Sequence, residues 1–182
     1  MPYEPPPYLA ELTLAEIAEQ VAARKLPPVE GWAPQKVGDS EMRIAADGTW
    51  WHQGGRITRD AMVRAFSGLL KRDERGQHWL VSPFEQLSIE VEDAAFLATD
   101  VKREDGALVF RLQTDELVIA GPDHPLRAAG NAETPALYLM VRRGCEARLN
   151  RSTYQQLAEI ALAEGEDWHV ASMGATFSLV PR

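Results

Sequence analysis

The chain has 182 residues, which is enough for one well-formed core or for two small cores packed together. Hydrophobic residues make up 45% and charged residues 25% of the sequence, and these values exclude disorder of the whole chain. The formal net charge of -8 repels nucleic acids and anionic membranes at long range, so we expect neither as a partner.

Cysteine content and hydropathy indicate the compartment. The single cysteine, Cys145, excludes an intramolecular disulfide and a cysteine-based metal site, and it fits a reducing environment. No apolar run approaches the ~20 residues needed to span a bilayer. The N-terminus also lacks the basic start and apolar stretch of a signal peptide. The sequence therefore predicts a cytoplasmic protein.

The first 28 residues read as an arm followed by a helix. The proline-dense segment Pro2 to Pro7 favours an extended arm. A helix is predicted from Leu9 to Arg24. Thr13 is the expected cap of its main part, and Glu16, three residues later, completes a capping-box pattern.

A hairpin and a second helix follow. The pair Asp47 and Gly48 predicts a type I′ turn, flanked by strands at Met42 to Ala45 and Thr49 to Gln53. The next helix is predicted from Arg59 to Lys71, with Thr58 as its N-cap. Its apolar face is expected to consist of Met62, Val63, Phe66, Leu69 and Leu70.

The middle of the chain reads as an antiparallel meander. Its strands are predicted at Phe96 to Lys102, Ala107 to Leu112 and Glu116 to Ala120, and two earlier strands, His78 to Ser82 and Leu87 to Val91, precede it. The next segment, Gly121 to Pro135, is rich in Gly, Pro, Asn and Asp. We expect it to be a loop, and the most mobile internal segment of the protein.

The last third repeats the order of hairpin, helix and strand. A hairpin that turns at Gly144 is predicted from Ala136 to Arg142 and Glu146 to Leu149. The helix that follows, Arg151 to Ala163, has Asn150 as its N-cap. Its inward face is expected to hold Tyr154, Leu157, Ala158, Ala161 and Leu162, and closing strands are predicted at Trp168 to Ala171 and Ala175 to Val180.

Two segments share one order of elements, which indicates an internal duplication. Ile57, Thr58, Arg59, Gly76 and Trp79 correspond to Leu149, Asn150, Arg151, Gly165 and Trp168. Chance similarity of two common hairpin–helix–strand units is the alternative. The duplication predicts an α+β fold in which two tandem hairpin–helix–strand units are joined by an antiparallel meander. We divide the chain into an N-terminal arm and helix (1–28), a first repeat (29–93), and the meander with the second repeat (94–182).

Long motifs resemble an uncharacterised, mostly proteobacterial family of unknown function. They stand at Asp47 to Arg59, Leu80 to Glu85, Ile89 to Phe96, Tyr138 to Arg151 and Ser172 to Leu179. The resemblance implies a duplicated core and a C-terminal half superficially like pleckstrin-homology folds. It also implies a nucleotide-like ligand between the two halves and a role in signalling. Cys145 departs from the pattern, since an apolar residue such as leucine is expected there.

No catalytic, cofactor or metal pattern is visible. The sequence has neither a phosphate-binding glycine loop nor a metal-binding histidine motif. Cys145 lacks an identifiable base, so a small residue at a hairpin turn is the favoured interpretation. The acids Glu90, Glu92 and Asp93 fit a half-buried strand better than acid–base catalysis. The four histidines His52, His78, His124 and His169 are scattered and favour ordinary polar roles.

Arginines are the best candidates for a binding site. Four of them, Arg142, Arg143, Arg148 and Arg151, lie within ten residues that contain one acid, and guanidinium groups suit carboxylate and phosphate. A weaker counterpart occurs at Arg56, Arg59 and Arg64. The predicted ligand-binding set is Arg59, Arg151, Arg142, Arg148, His52 and Arg56. Pairing of these arginines with internal carboxylates remains the alternative.

Arg59 and Arg151 carry the most specific prediction within this set. Each is predicted in the first turn of its helix, where a cation opposes the helix dipole. The same placement in both repeats indicates an anionic partner for each. That partner is either an internal carboxylate or a bound anion.

Three classes of function fit these residues. The favoured hypothesis is a ligand-binding or signalling module that takes a nucleotide-like or other anionic small molecule between its halves. An enzyme acting on a phosphorylated or nucleotide substrate is the first alternative. The second is a protein-binding adaptor that uses the proline-rich arm. No cofactor or metal is expected, and the sequence leaves the oligomeric state open.

Overall fold

The structure, a computed structural model, describes residues 8–165 and 167–181. The predicted extended arm, Pro2 to Pro7, lies outside these residues. The chain forms two compact units. We call Lys25–Phe96 with Arg142–Cys145 the N-terminal unit, and the remainder, which includes the first helix, the C-terminal unit.

The N-terminal unit contains a six-stranded sheet and one α-helix. In chain order its elements are β1 (Lys36–Ile44), β2 (Trp50–His52), β3 (Gly55–Arg56), α2 (Asp60–Ser67), β4 (Leu70–Arg72), β5 (His78–Val81) and β6 (Glu85–Val91). The strand order is β3-β2-β1-β6-β5-β4, and β1 pairs with β6 in parallel. The other pairs in this sheet are antiparallel.

The C-terminal unit contains a second six-stranded sheet and a small two-stranded one. Its elements are α1 (Leu14–Ala23), β7 (Phe96–Glu104), β8 (Ala107–Leu112), β9 (Leu117–Ile119), β10 (Leu126–Gly130), β11 (Pro135–Arg142), β12 (Cys145–Leu149), α3 (Arg151–Ala163), β13 (His169–Ser172) and β14 (Ala175–Ser178). The strand order is β10-β11-β12-β7-β8-β9, and β13 pairs with β14 separately. Helix α3 follows β12, the last of these six strands in chain order.

The predicted α+β duplication is confirmed at the level of the sheets. Each six-stranded sheet consists of two successive three-strand segments, and the first strand of the first segment lies beside the last strand of the second. The position of the helix differs, because α2 follows the third strand of its sheet and α3 follows the sixth. The predicted equivalence of Arg59 and Arg151 is therefore wrong, although both helices follow a hairpin.

The N-terminal segment packs on the sheet of the C-terminal unit. Leu9, Leu12 and Ile17 are buried in one cluster with residues of β8 and β9. The predicted capping box is present, with Thr13 and Glu16 bonded reciprocally. Lys102 Nζ donates to the carbonyl oxygens of Leu9 (3.4 Å) and Leu12 (2.5 Å), which fixes the turn that precedes α1.

Helix α2 is shorter than predicted. It ends at Ser67, because Gly68 follows and Leu70, which is fully buried, belongs to β4. Arg59, and not Thr58, occupies the N-cap, and no side chain caps this helix. The β-strand pairing of Leu70 with Leu80 overrides the helical periodicity of the local sequence.

Three further expectations are corrected. The segment predicted as a loop, Gly121 to Pro135, contains β10, which pairs along its whole length with β11. The turn after β1 is not of type I′: Gly48 N donates to Ala45 O, so Ala46 and Asp47 are its central residues, and neither has a positive φ. Leu162 does not face inward but is 70% exposed.

No helix in the described part of the chain is long and apolar enough to cross a membrane.

Candidate functional site

Arg59 and Arg151 are both exposed at the starts of their helices. Arg59 is the N-cap of α2, and Arg151 is the first residue of α3. Among the described residues, neither guanidinium group forms an ion pair or a side-chain hydrogen bond. The structure therefore provides no internal carboxylate for either arginine within the described ranges.

His52 and Arg56 lie on the exposed β2–β3 hairpin. Trp51 pairs across the sheet with Arg43 on one side and Arg56 on the other. The guanidinium carbon of Arg43 lies 5.4 Å from the centre of the Trp51 ring, and the same side chain donates to Glu92 at 2.5 Å. Neither His52 nor Arg56 lines the cavity that the structure shows in this unit.

Arg142 and its neighbour Arg143 bind backbone carbonyls within the N-terminal unit. Arg142 donates to Ser67 O at 3.2 Å and lies over the ring of Phe96. Arg143, whose side chain is 6% exposed, donates to Gly68 O and Pro27 O, both at 2.8 Å. It also pairs at 2.6 Å with Glu30, and this hydrogen bond holds the pKa of the Glu30 carboxyl below its usual value. Both arginines stabilise the fold of this unit.

Arg148 belongs to a cluster of arginines around one aromatic ring in the C-terminal unit. The guanidinium carbons of Arg127 and Arg148 lie 4.5 Å and 5.5 Å from the centre of the Tyr138 ring. Glu146 accepts two hydrogen bonds from Arg127, at 3.0 Å and 2.9 Å. We call Arg127, Tyr138, Glu146 and Arg148 the Arg–Tyr–Arg cluster.

Strand pairing positions this cluster. Arg127 of β10 stands opposite Tyr138 of β11 in the antiparallel register. Along β11, Leu137, Leu139 and Val141 are buried, so the alternation of a β-strand places Tyr138 on the other face.

Of the two arginines in this cluster, the candidate set predicted from the sequence contains Arg148 and lacks Arg127. The reason is that β10 lies in a segment whose turn-forming residues predict a loop. The sequence of this strand, L-R-A-A-G between Pro125 and Asn131, is too short to show the alternation of apolar and polar residues that indicates a β-strand.

The N-terminal unit holds a polar cavity of about 440 Å³. Asp39, Glu41, Arg43, Trp51 and Glu90 are among its lining residues. Three of its lining residues carry carboxylates, and its one arginine, Arg43, is hydrogen-bonded to Glu92. None of the six predicted ligand-binding residues lines this cavity.

The remaining chemical groups are buried or dispersed. Cys145 is fully buried, and burial raises the pKa of its thiol to about 12 despite the nearby arginines. His78 is also buried. No group of three or more His, Cys, Asp or Glu side chains that could hold a metal ion occurs in the part of the chain that the structure describes.

The fold and the cluster define a protein of two tandem sheet units without an evident catalytic constellation in the described residues. Two profiles of one family match successive parts of this sequence. Residues 27–94 match the N-terminal domain of the domain of unknown function DUF1285, and residues 95–179 match its C-terminal domain. The chain belongs to the DUF1285 family, and the family resemblance predicted from the motifs is confirmed.

Solved structures of the same family agree. A DUF1285 family protein from Silicibacter pomeroyi DSS-3 is 36% identical, with a TM-score of 0.75, and the match covers 91% of this chain and 93% of that one. A DUF1285 family protein from Shewanella baltica OS155 is 21% identical, with a TM-score of 0.55 over 65% of this chain and 90% of that one, and shows the shared fold alone. No curated protein matches significantly.

Proposed function

We propose that this protein is a cytoplasmic signalling module that binds an anionic, nucleotide-like small molecule at the Arg–Tyr–Arg cluster. The observation that supports the proposal is the placement of two guanidinium groups around the ring of Tyr138. One of them, Arg148, is also in the set predicted from the sequence. The single buried thiol suits the reducing cytoplasm.

The cluster suits an anion because its two cations are held in position. Glu146, whose side chain is 10% exposed, binds Arg127 through two hydrogen bonds and orients its guanidinium plane. The Arg127 side chain remains 54% exposed, so solvent and solutes reach it. Planar guanidinium groups bind phosphate through paired hydrogen bonds and also offer a face on which a base can stack.

A binding role fits the groups that the described residues provide. The pKa of the Cys145 thiol, raised to about 12, leaves it protonated at neutral pH and therefore a poor nucleophile. An enzyme of the phosphorylated-substrate class would need a positioned base or nucleophile beside the cluster. The cluster itself contains two cations, one phenol and one ion-paired carboxylate.

A thermal-shift screen followed by calorimetric titration tests the proposal. The probes are ATP, GTP, cyclic AMP, cyclic GMP, pyrophosphate and inorganic phosphate. A ligand that binds the native state raises the Tm by mass action, by an amount equivalent to about 2.7 kcal/mol at 100 times the Kd. Turnover of the nucleotides, followed by chromatography, distinguishes an enzyme from a binding module.

Two matched variants locate the site. Arg148→Gln removes one cation from the cluster, and we expect it to weaken binding by about tenfold, because a charge-assisted hydrogen bond is lost. Arg151→Ala removes one cation from an exposed position in the same unit and should leave the affinity unchanged. Equal weakening by both variants would indicate a general charge effect, and loss with Arg151→Ala alone would move the site to the start of α3. If no probe shifts the Tm, the proposal fails.

A further inference from the structure

One edge of β1 is unpaired over half of its length. The strand pairs with β6 at Lys36–Asp39 and again at Arg43 and Ile44, whereas β2 pairs only with Met42, Arg43 and Ile44. In the part of the chain that the structure describes, no strand lies on the other edge of Lys36–Asp39. An unpaired edge presents a row of backbone N–H and C=O groups to any chain that can pair with it.

The residues along this edge are exposed to solvent. All four residues of Lys36–Asp39 are exposed, and Val37 is 59% exposed. A strand that lies inside a sheet with one covered face buries alternate residues, as Met42 and Ile44 do further along β1. The segment Lys36–Asp39 is about 13 Å long at the usual rise per residue, which suits pairing with about four residues of an extended peptide.

A bulge separates the open half of β1 from the paired half. Asp39 stands opposite Ser88 and Arg43 opposite Glu90, so β1 carries two more residues than β6 over this step. Ser40 Oγ donates to Ser88 O at 2.7 Å, and Glu41 has a φ of 57°. The bulge ends the open edge beside the cavity of about 440 Å³, which Asp39, Glu41 and Glu90 line.

The charge at the end of this edge selects the occupant. Three carboxylates line the cavity, while its one guanidinium group, that of Arg43, is hydrogen-bonded to Glu92. The ring of Trp51 in the same lining offers an aromatic face of the kind that attracts cations, and the Arg43 guanidinium lies 5.4 Å from its centre. The net charge of -8 also favours encounter with a basic partner.

We propose that the open edge of β1 and the adjoining cavity form a docking site for an extended basic segment of a partner protein. The segment adds a strand beside Lys36–Asp39 and places a lysine or arginine between the cavity carboxylates. This site is independent of the Arg–Tyr–Arg cluster, since it uses different residues and the opposite charge. It assigns to the N-terminal unit a function in protein recognition.

Fluorescence anisotropy with the full chain and defined peptides tests this proposal. The probe is a fluorescein-labelled peptide of about eight residues in which lysine and arginine alternate with valine and threonine. A second peptide carries glutamate in place of each basic residue. A third peptide keeps the basic sequence but is N-methylated at alternate residues, which removes the backbone N–H donors along one edge of the peptide. It is made in two versions, one for each edge of the peptide strand. We expect saturable binding of the first peptide, no binding of the acidic one, and loss of binding in one N-methylated version.

Variants of the protein test the cavity. Asp39→Asn and Glu90→Gln should each weaken binding about two- to fivefold, the range expected for one exposed ion pair. The matched control is Glu74→Gln, which removes one charge from an exposed position in the β4–β5 turn. Circular dichroism confirms that each variant is folded, and Glu90→Gln, at an exposed strand position, provides the test if Asp39→Asn unfolds.

Three results would overturn the proposal. Equal binding of both N-methylated versions and the parent peptide would exclude strand addition. Equal weakening of peptide binding by Glu74→Gln would show that the cavity variants act only through the net charge of the protein. Sedimentation analysis that shows a dimer, converted to a monomer by Val37→Lys, would assign the edge to a second copy of this chain and not to a basic partner.

Discussion

Arginines of similar sequence context have very different environments in this protein. Arg143 is almost fully buried and satisfies two backbone carbonyls and one carboxylate. Arg148, five residues later, lies beside an aromatic ring, and Arg151 is exposed at a helix start. The residues that surround each guanidinium group in space decide whether the arginine stabilises the fold or is a candidate for binding a ligand. Composition could predict the enrichment of arginine but not this division.

His78 provides a prediction about pH at the scale of one residue. It is 9% exposed on β5, between Arg72 on β4 and Ile89 on β6. Burial, together with the charge of Arg72, lowers its pKa from 6.5 to about 4, and Asp73 opposes this shift. The unfolded chain therefore binds a proton at this site before the folded chain does. The contribution of His78 to stability is present above pH 6.5 and is lost as the pH falls from 6.5 towards 4.

Urea unfolding at about pH 7 and about pH 5.5 measures this effect. The free energy of unfolding of the wild type should fall between the two values, and His78→Gln should reduce that fall whatever its effect at about pH 7. His52→Gln, which changes an exposed histidine in the same unit, should leave the fall unchanged. An identical pH dependence in wild type and His78→Gln would contradict the assignment.

Local capping sequences decide where the helices begin. Thr13 caps α1 with Glu16, and the Asn150 side chain accepts a hydrogen bond from Thr153 N at 2.8 Å. Helix α2 lacks such a cap, because Arg59 occupies the N-cap although Thr58 was predicted there. Capping predictions depend on a few neighbouring residues, and they succeed when no tertiary contact shifts the helix start.

Substitutions at Asn150 and Thr58 measure how much each residue contributes to the stability of its helix. Asn150→Ala should lower the free energy of unfolding by about 1 kcal/mol, since it removes an N-cap hydrogen bond. Thr58→Ala should change it by less than about 0.5 kcal/mol, because Thr58 is exposed and lies outside the cap. Chemical unfolding of both variants provides the comparison. Equal destabilisation would show that Thr58 caps α2 in solution.

At the scale of the molecule, the compact units do not follow the order of the chain. The N-terminal unit, Lys25–Phe96, also includes Arg142–Cys145. Arg143 joins this stretch to Glu30 and Gly68 of the same unit, and Gly144 packs so closely that an added Cβ would lie 2.8 Å from Arg72 O. Stability of this unit therefore depends on residues that lie far along the sequence.

Removal of the Arg143 side chain tests this dependence. Arg143→Ala deletes hydrogen bonds to two backbone carbonyls and to Glu30, so we expect a loss of about 2–4 kcal/mol in the free energy of unfolding. Arg75→Ala, which changes an exposed arginine of the β4–β5 turn, should stay within about 0.5 kcal/mol of the wild type. Urea unfolding followed by tryptophan fluorescence compares them. A small effect of Arg143→Ala would contradict the structural role.

The sequence by itself determined the family, the α+β duplication, two helix caps and most strand positions. The caps and the strand positions depend on neighbouring residues or on alternation along one strand, such as the buried Leu137, Leu139 and Val141 of β11. It also identified Arg148 as a candidate, although not its partners.

Only the tertiary structure decided the features that depend on partners distant in sequence. Strand β10 forms in a segment of loop-like composition because β11 supplies its backbone hydrogen bonds, and this pairing brings Arg127 to Tyr138. Leu70 joins β4 despite helical periodicity because it pairs with Leu80, and Leu162 stays exposed although its spacing predicts burial. Pairing and burial are properties of two segments at once, so neither follows from the pattern of one.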